Sequence, residues 1–155
     1  MTHSHFSTEA GGTPTGAGRF VQPALIDPVE YVPGLEFQPV LGDSMLANFV
    51  TFEPHTEAPM HVHVEEQIVI VVEGEFDFTI DGETRTMKVG DVAVIPSWVP
   101  HGAVTRDVGC REIDMFSPPR ATLLEHARQA VAGSTVASAG GAGAAPADAP
   151  ADGES

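Results

Sequence analysis

Between residues 19 and 120 the apolar positions fall in short alternations broken by turn residues, a pattern that predicts many short antiparallel strands. Leu46, Phe49, Val50 and Phe52 mark a strand over residues 45–53. The continuous apolar run 67–72 reads as a strand buried on both sides. Phe76, Phe78 and Ile80 share one face of a strand over 75–80. Asp81-Gly82 is a two-residue hairpin signal, and 84–89 returns as the partner strand. Gly90-Asp91 turns again into a buried strand over 92–95, and strands over 103–108 and 111–116 complete the set. Strands at this spacing predict a small barrel or a double-sheet jelly roll. Leu123, Leu124, Ala127 and Val131 then fall at helical spacing, with Gly133 as a stop, so a short helix over 121–132 is expected on the outside of the barrel.

The ends of the 155-residue chain read differently. Residues 1–18 are Thr-, Ser-, Gly- and Ala-rich, and 133–155 are mostly Ala, Gly, Pro, Ser and Asp; both are expected to be disordered arms. The folded part is therefore one domain, a barrel over 19–120 followed by the helix. Seven Lys plus Arg against 22 Asp plus Glu give a formal charge of −15, most of it within the barrel. A chain this acidic repels phosphate backbones and anionic lipid, which argues against nucleic-acid and membrane partners. A lone cysteine, Cys110, excludes an internal disulfide framework and reads as an inert buried thiol. No secretory pattern opens the sequence, so a cytoplasmic location is expected.

Candidate chemistry lies with the histidines. His61 and His63 stand two apart, a spacing that puts both on one face of a strand. Gln67 has the same parity, and His101 follows the run 95–100. Three imidazoles and a side-chain oxygen converging inside a barrel would form a metal site with open positions. His55 and His126 read as ordinary structural residues. By parity Glu65 lies on the ligand face and Glu66 points away, the plain alternative being that both are solvated edge carboxylates.

A second constellation follows in 112–120. Glu112, Asp114 and Phe116 share a strand face; if it points inward, a buried carboxylate with a raised pKa becomes a candidate proton carrier. Arg120, set by the Pro118-Pro119 step, could pair with Asp114 or grip a substrate carboxylate. Phe116 reads as core or as pocket wall. Trp98 could wall the pocket and stack on a ring, or cover the barrel's end.

Together these positions resemble the cupin family. Its first motif, G-x5-H-x-H-x(3,4)-E-x6-G, is met by His55, His61, His63, Gln67 and Gly74; its second, G-x5-P-x-G-x2-H-x3-N, by Gly90, Pro96, Trp98, His101 and Thr105. His55 and Trp98 thus stand in glycine slots and Thr105 in an asparagine slot. The resemblance implies an all-β double-stranded β-helix that binds one divalent metal ion (Zn, Ni, Fe, Mn or Co) through His61, His63, Gln67 and His101, and a homodimer paired through its sheets. Within the family the chain resembles small single-domain cupins of the KdgF type, which ketonise unsaturated uronates. These carry Asp-x-Phe-x-x-x-Arg after the second motif, matched here by Asp114, Phe116 and Arg120, and the resemblance implies a catalytic role for Asp114 and Arg120.

Three functions follow as expectations. The first is an isomerase- or tautomerase-type enzyme that combines a Lewis-acid metal with proton transfer on a small oxygenated anion. The second is an Fe-dependent dioxygenase, or a cyclase, acting on a ring compound. The third is a barrel that binds a ligand without changing it.

Overall fold

The computed structural model describes residues 5–130; the expectations for residues 1–4 and 131–155, including Val131, the stop at Gly133 and the C-terminal arm, lie outside the described residues. Among the described residues there are nine strands: β1 (Val29–Val32), β2 (Leu35–Leu41), β3 (Leu46–Phe52), β4 (Glu57–His61), β5 (Glu66–Ile80), β6 (Glu83–Lys88), β7 (Val92–Ile95), β8 (His101–Val104) and β9 (Cys110–Ser117). All pairings are antiparallel. One sheet runs β1-β2-β3-β9-β5-β7 and the other β4-β8-β5-β6, so β5 belongs to both and the two wrap into a jelly-roll barrel.

The strand over 67–72 and that over 75–80 are one 15-residue strand. They read as two because the inward parity changes within β5: Gln67, Val69 and Val71 are buried in its first half, Phe76 and Phe78 in its second. The register slips between Val71 and Glu73, a bulge that flips the faces while the strand crosses from one sheet to the other. Gly74 makes the crossing possible. Its φ is +70°, and a Cβ there would lie 2.0 Å from the Gly109 carbonyl oxygen.

The hairpin at Asp81-Gly82 forms as expected, with Ile80 opposite Glu83 and φ of 47° and 83° at the two turn residues. β1, β2 and β4 carry too little alternation to stand out: β4 is nearly all exposed, and Pro39 interrupts β2. The strand expected over 103–108 instead spans His101–Val104, because Thr105 leaves the ladder to bond Glu53, Thr56 and the loop before β4.

The main core lies between the sheets, with Val50, Phe52, Val69, Val71, Phe76, Phe78, Ile95 and Cys110 among its buried members. A 3-10 turn over Ala121–Leu123 leads into helix at 124–130. Leu123 and Ala127 pack with Leu46 and Phe116 in a second cluster. Tyr31 Oη donates to the Thr122 carbonyl at 2.9 Å, and His126 Nε2 to that of Asp27 at 2.8 Å, fastening this segment to the start of the barrel. No helix among the described residues is long and apolar enough to cross a membrane.

Candidate active site

The three histidines arrive from different elements. His61 ends β4, His101 begins β8 directly opposite it, and His63 lies beyond β4 in the loop before β5. Strand parity is therefore not what aligns His61 with His63; a local device does. Each ring bonds a backbone carbonyl two residues away through Nδ1: His61 to Pro59 at 2.7 Å, His63 to Glu65 at 2.9 Å, His101 to Val99 at 2.8 Å. A carbonyl can only accept, so each Nδ1 carries a proton, and in the neutral ring Nε2 is left with its lone pair.

Those lone pairs converge. The three ligand atoms lie within 4.8 Å of one another, with His63 Nε2 3.2 Å from His101 Nε2 and 3.1 Å from Gln67 Oε1. Gln67 Nε2 donates to Asp114 Oδ1 at 2.6 Å, which turns the amide oxygen toward His63. Burial lowers the pKa of His63, and pushes that of His101 down to about 4, so both rings are neutral at pH 7.

Four acceptors facing one point with no proton between them form an arrangement that calls for a cation. Nitrogens and oxygens about 2.0–2.1 Å from one ion stand about 3 Å apart, close to the separations seen here. The set fits a divalent metal with imidazole and amide ligands. The nearby bonds from Nδ1 to carbonyl, and from Gln67 to Asp114, are of the kind that orient metal ligands.

The site opens into a cavity of ≈ 340 Å³ between the sheets, within the range of small-molecule pockets. His61, Gln67, His101, Asp114, Phe116 and Arg120 line it, with Phe37, Phe52, Phe76 and Phe78 on its apolar walls. Phe116 serves as both core and wall, its ring 5.6 Å from that of His63 and edge-on to it. Trp98 does not line the cavity; its side chain stands 61% exposed in the loop before β8.

β9 delivers the carboxylates. Its alternation buries Cys110, Glu112, Asp114 and Phe116 on the inward face. Burial is the main force on both acids: it raises Glu112 well above its ordinary value, with the Asp114 charge adding to it, and raises Asp114 to about 6 against the hydrogen bonds from Glu112 and Gln67. Two buried carboxyls this close share a proton, the neutral one donating to its ionised neighbour. Glu112 was a minor part of the sequence reading. Asn48, paired with Asp114 across β3 and β9, was missed altogether, its only signal being a polar residue at an inward strand position.

Arg120 does not pair with Asp114 as one sequence reading had it. Its Nη1 lies 3.1 Å from Glu65 Oε2, and Glu65 Oε1 accepts from the Ala121 backbone at 3.0 Å. Glu65 is only 2% exposed, so the solvated-edge reading of this residue fails, while Glu66 does point outward. Burial alone would raise the Glu65 carboxyl; the backbone hydrogen bonds and the Arg120 charge outweigh it and leave it lowered. Arg120 still lines the cavity, with its positive charge half-spent on Glu65.

Comparison with known proteins accords with this geometry. The Cupin_2 model, a cupin domain, matches residues 48–110. The pectin degradation protein KdgF of Dickeya dadantii (strain 3937) is 35% identical over 83 residues, 53% of this chain and 76% of that one. Gentisate 1,2 dioxygenase 1 of Aquipseudomonas alcaligenes is 36% identical over 95 residues, 60% of this chain but only 27% of its own length. The solved structure of KdgF from Halomonas sp. superposes with a TM-score of 0.65 at 31% identity, covering 69% of this chain and 99% of that one. The chain belongs to the cupin family and is a KdgF-like member of it.

Proposed function

We propose that the protein is a metal-dependent cupin enzyme of isomerase or tautomerase type, acting by proton transfer on a small oxygenated anion such as an unsaturated uronate. The observation that carries this reading is Asp114: one carboxylate, buried in the cavity wall, held between the Gln67 amide and the Glu112 carboxyl. His61, His63, Gln67 and His101 would hold the metal. When bound, a divalent ion on these four neutral ligands keeps its full charge and polarises a carbonyl or enol oxygen.

The chain's own residues do the rest. Arg120 faces the cavity from a fixed position and binds the substrate carboxylate. The apolar walls exclude water from the reacting atoms. On the ring-opened form of such a uronate, which carries an enol hydroxyl, Asp114 takes the hydroxyl proton and the shared Glu112–Asp114 proton supplies one to carbon, so the pair ends with the proton count it began with. The test is turnover of a 4,5-unsaturated uronate, followed by loss of its ultraviolet absorbance, in wild type and Asp114→Asn at equal metal content. Unchanged turnover in the variant defeats the reading.

A second reading is favoured by the phenylalanine-lined cavity and by the similarity to a gentisate dioxygenase: an Fe-dependent dioxygenase, or a cyclase, of a ring compound. Oxygen uptake by Fe-loaded protein on aromatic acids separates the oxygenase from the first reading. A loaded protein that binds both ligand types and converts neither leaves a binding barrel.

Homodimer formation is part of the proposal. The outer face of the first sheet carries two apolar rows, Ala47–Met115–Ile68–Val94 and Phe49–Ile113–Ile70–Val92, set by the register of four strands. Val92 and Val94 are more than half exposed, and such a face suits a second copy of the chain. Sedimentation of wild type against Ile70→Glu tests it, with a monomer expected only in the variant.

A further inference from the structure

The floor of the cavity is polar in a way the metal site does not explain. Asn48 is 1% exposed, and neither its Oδ1 nor its Nδ2 has a protein hydrogen-bond partner among the described residues. Glu112 is 5% exposed, and its Oε2 is likewise unpartnered. Both residues line the cavity. Buried polar atoms are nearly always paired, so three unpaired ones on two residues that line a single space point to a partner from outside the chain.

Register fixes where they lie. On β9 the inward residues run Phe116, Asp114, Glu112, and Phe116 is the one that meets His63. Asp114 bonds Gln67, and Glu112 stands one inward step beyond it, roughly 7 Å further along the strand. Asn48 faces Asp114, and Val50 faces Glu112, across the ladder to β3. The unpaired atoms are thus beside and beyond Asp114, away from the histidines.

We propose that Asn48 and Glu112 form a second polar subsite at the deep end of the cavity that takes an uncharged hydroxyl group of the substrate. An amide both donates and accepts, and Glu112 Oε2 accepts; a hydroxyl needs both partners. An anionic group is disfavoured beside two carboxyls, so the substrate's charge goes to the Arg120 end and its hydroxyl to the Asn48 end. The substrate is then a hydroxylated, one-ring-sized carboxylate rather than a plain apolar ring acid. The inference deepens the proposed function in using its cavity and Arg120, and it does not depend on the proton-transfer step.

The test uses two ligands with one carbon skeleton, quinate and cyclohexanecarboxylate, titrated calorimetrically into the full-length metal-loaded protein. Wild type is expected to prefer quinate by about tenfold, the worth of one satisfied hydrogen bond to a buried group. Asn48→Leu, close in shape and without polar atoms, is expected to lose that preference and to melt higher than wild type. Asn48→Ala makes the same comparison should the leucine variant not fold. No quinate preference in wild type, no binding of either ligand, or a preference that survives both substitutions overturns the subsite. A quinate preference that needs Asn48, alongside unchanged uronate turnover in Asp114→Asn, upholds the subsite and defeats only the reaction.

Discussion

The rim and the floor of the cavity are built on opposite principles. At the rim every histidine Nδ1 is bound by a carbonyl two residues away, so each ring is set by its own loop and only the lone pairs are left to act. On the floor the polar groups come from mid-strand positions of β3 and β9 and are set by long-range register; some of their atoms have no protein partner, and two acids share a proton. The rim is locally satisfied and poised for a cation. The floor is held in a costly state by the fold around it, the usual mark of a place where substrate completes the bonding.

The contrast predicts different failures. Removing a rim ligand should empty the site outright. His101→Ala is expected to lose more than about 100-fold in metal affinity, beyond the 10–100-fold typical of outer partners, and all measurable turnover with it; metal content after dialysis and a competition titration check this. On the floor, Asp114→Asn is expected to keep its metal and lose about 10²–10⁴-fold in turnover, the range of a general acid–base group. If it sheds its metal as His101→Ala does, the division between rim and floor collapses, because the bond to Gln67 would then be the main role of Asp114.

A smaller effect probes the shared proton. Glu112 and Asp114 both titrate higher in the folded chain than their ordinary values, so the folded state binds more protons than the unfolded one. Their contribution to stability is whole below about pH 4 and is lost as pH rises through about 6 and above. Glu65 and Asp77, both lowered, act with the opposite sign and lose their contribution on acidification. Glu112→Gln cannot ionise, so it should melt higher than wild type at pH 8, by about 1–3 kcal/mol, and the margin should shrink toward pH 5. Thermal melts across that range at matched metal content decide it; a margin that does not change with pH would mean Glu112 titrates alike in the folded and unfolded chain, so that burial does not hold its proton.

The same division explains what the sequence could reveal. The turn at Asp81-Gly82, the alternation of β3 and β9 and the spacing of His61, His63, Gln67 and His101 are short-range patterns, and all are visible along the chain. The bulge in β5 was not, because it depends on Gly74 meeting the Gly109 carbonyl from the distant loop that leads into β9. Nor was the pairing of Glu65 with Arg120, which is 55 residues away, nor Asn48 beneath Asp114. His63 stands beside His61 for a different reason from the one the sequence offers: parity groups the two, but a hydrogen bond in a loop aligns His63.

The smallest effect is expected at Trp98, and it tests whether the rim is as local as it looks. Two of the family's glycine slots are filled here by His55 and Trp98, and both keep a backbone suited to glycine, with φ of 57° and 66°. A left-handed conformation costs a non-glycine residue about 1–2 kcal/mol, while glycine's extra freedom when unfolded costs roughly 0.5–1 kcal/mol. The Trp98 backbone N–H donates to the His63 carbonyl at 2.8 Å, and the indole points away from the cavity into solvent. What the site takes from position 98 is therefore an N–H and a turn, both of which glycine supplies. Trp98→Gly should leave metal affinity and turnover within about twofold of wild type and shift stability by less than about 1 kcal/mol, in glycine's favour. A larger loss of turnover with metal affinity intact would place the indole against the substrate and make the mouth of the cavity, like its floor, dependent on contacts from outside the histidine loops.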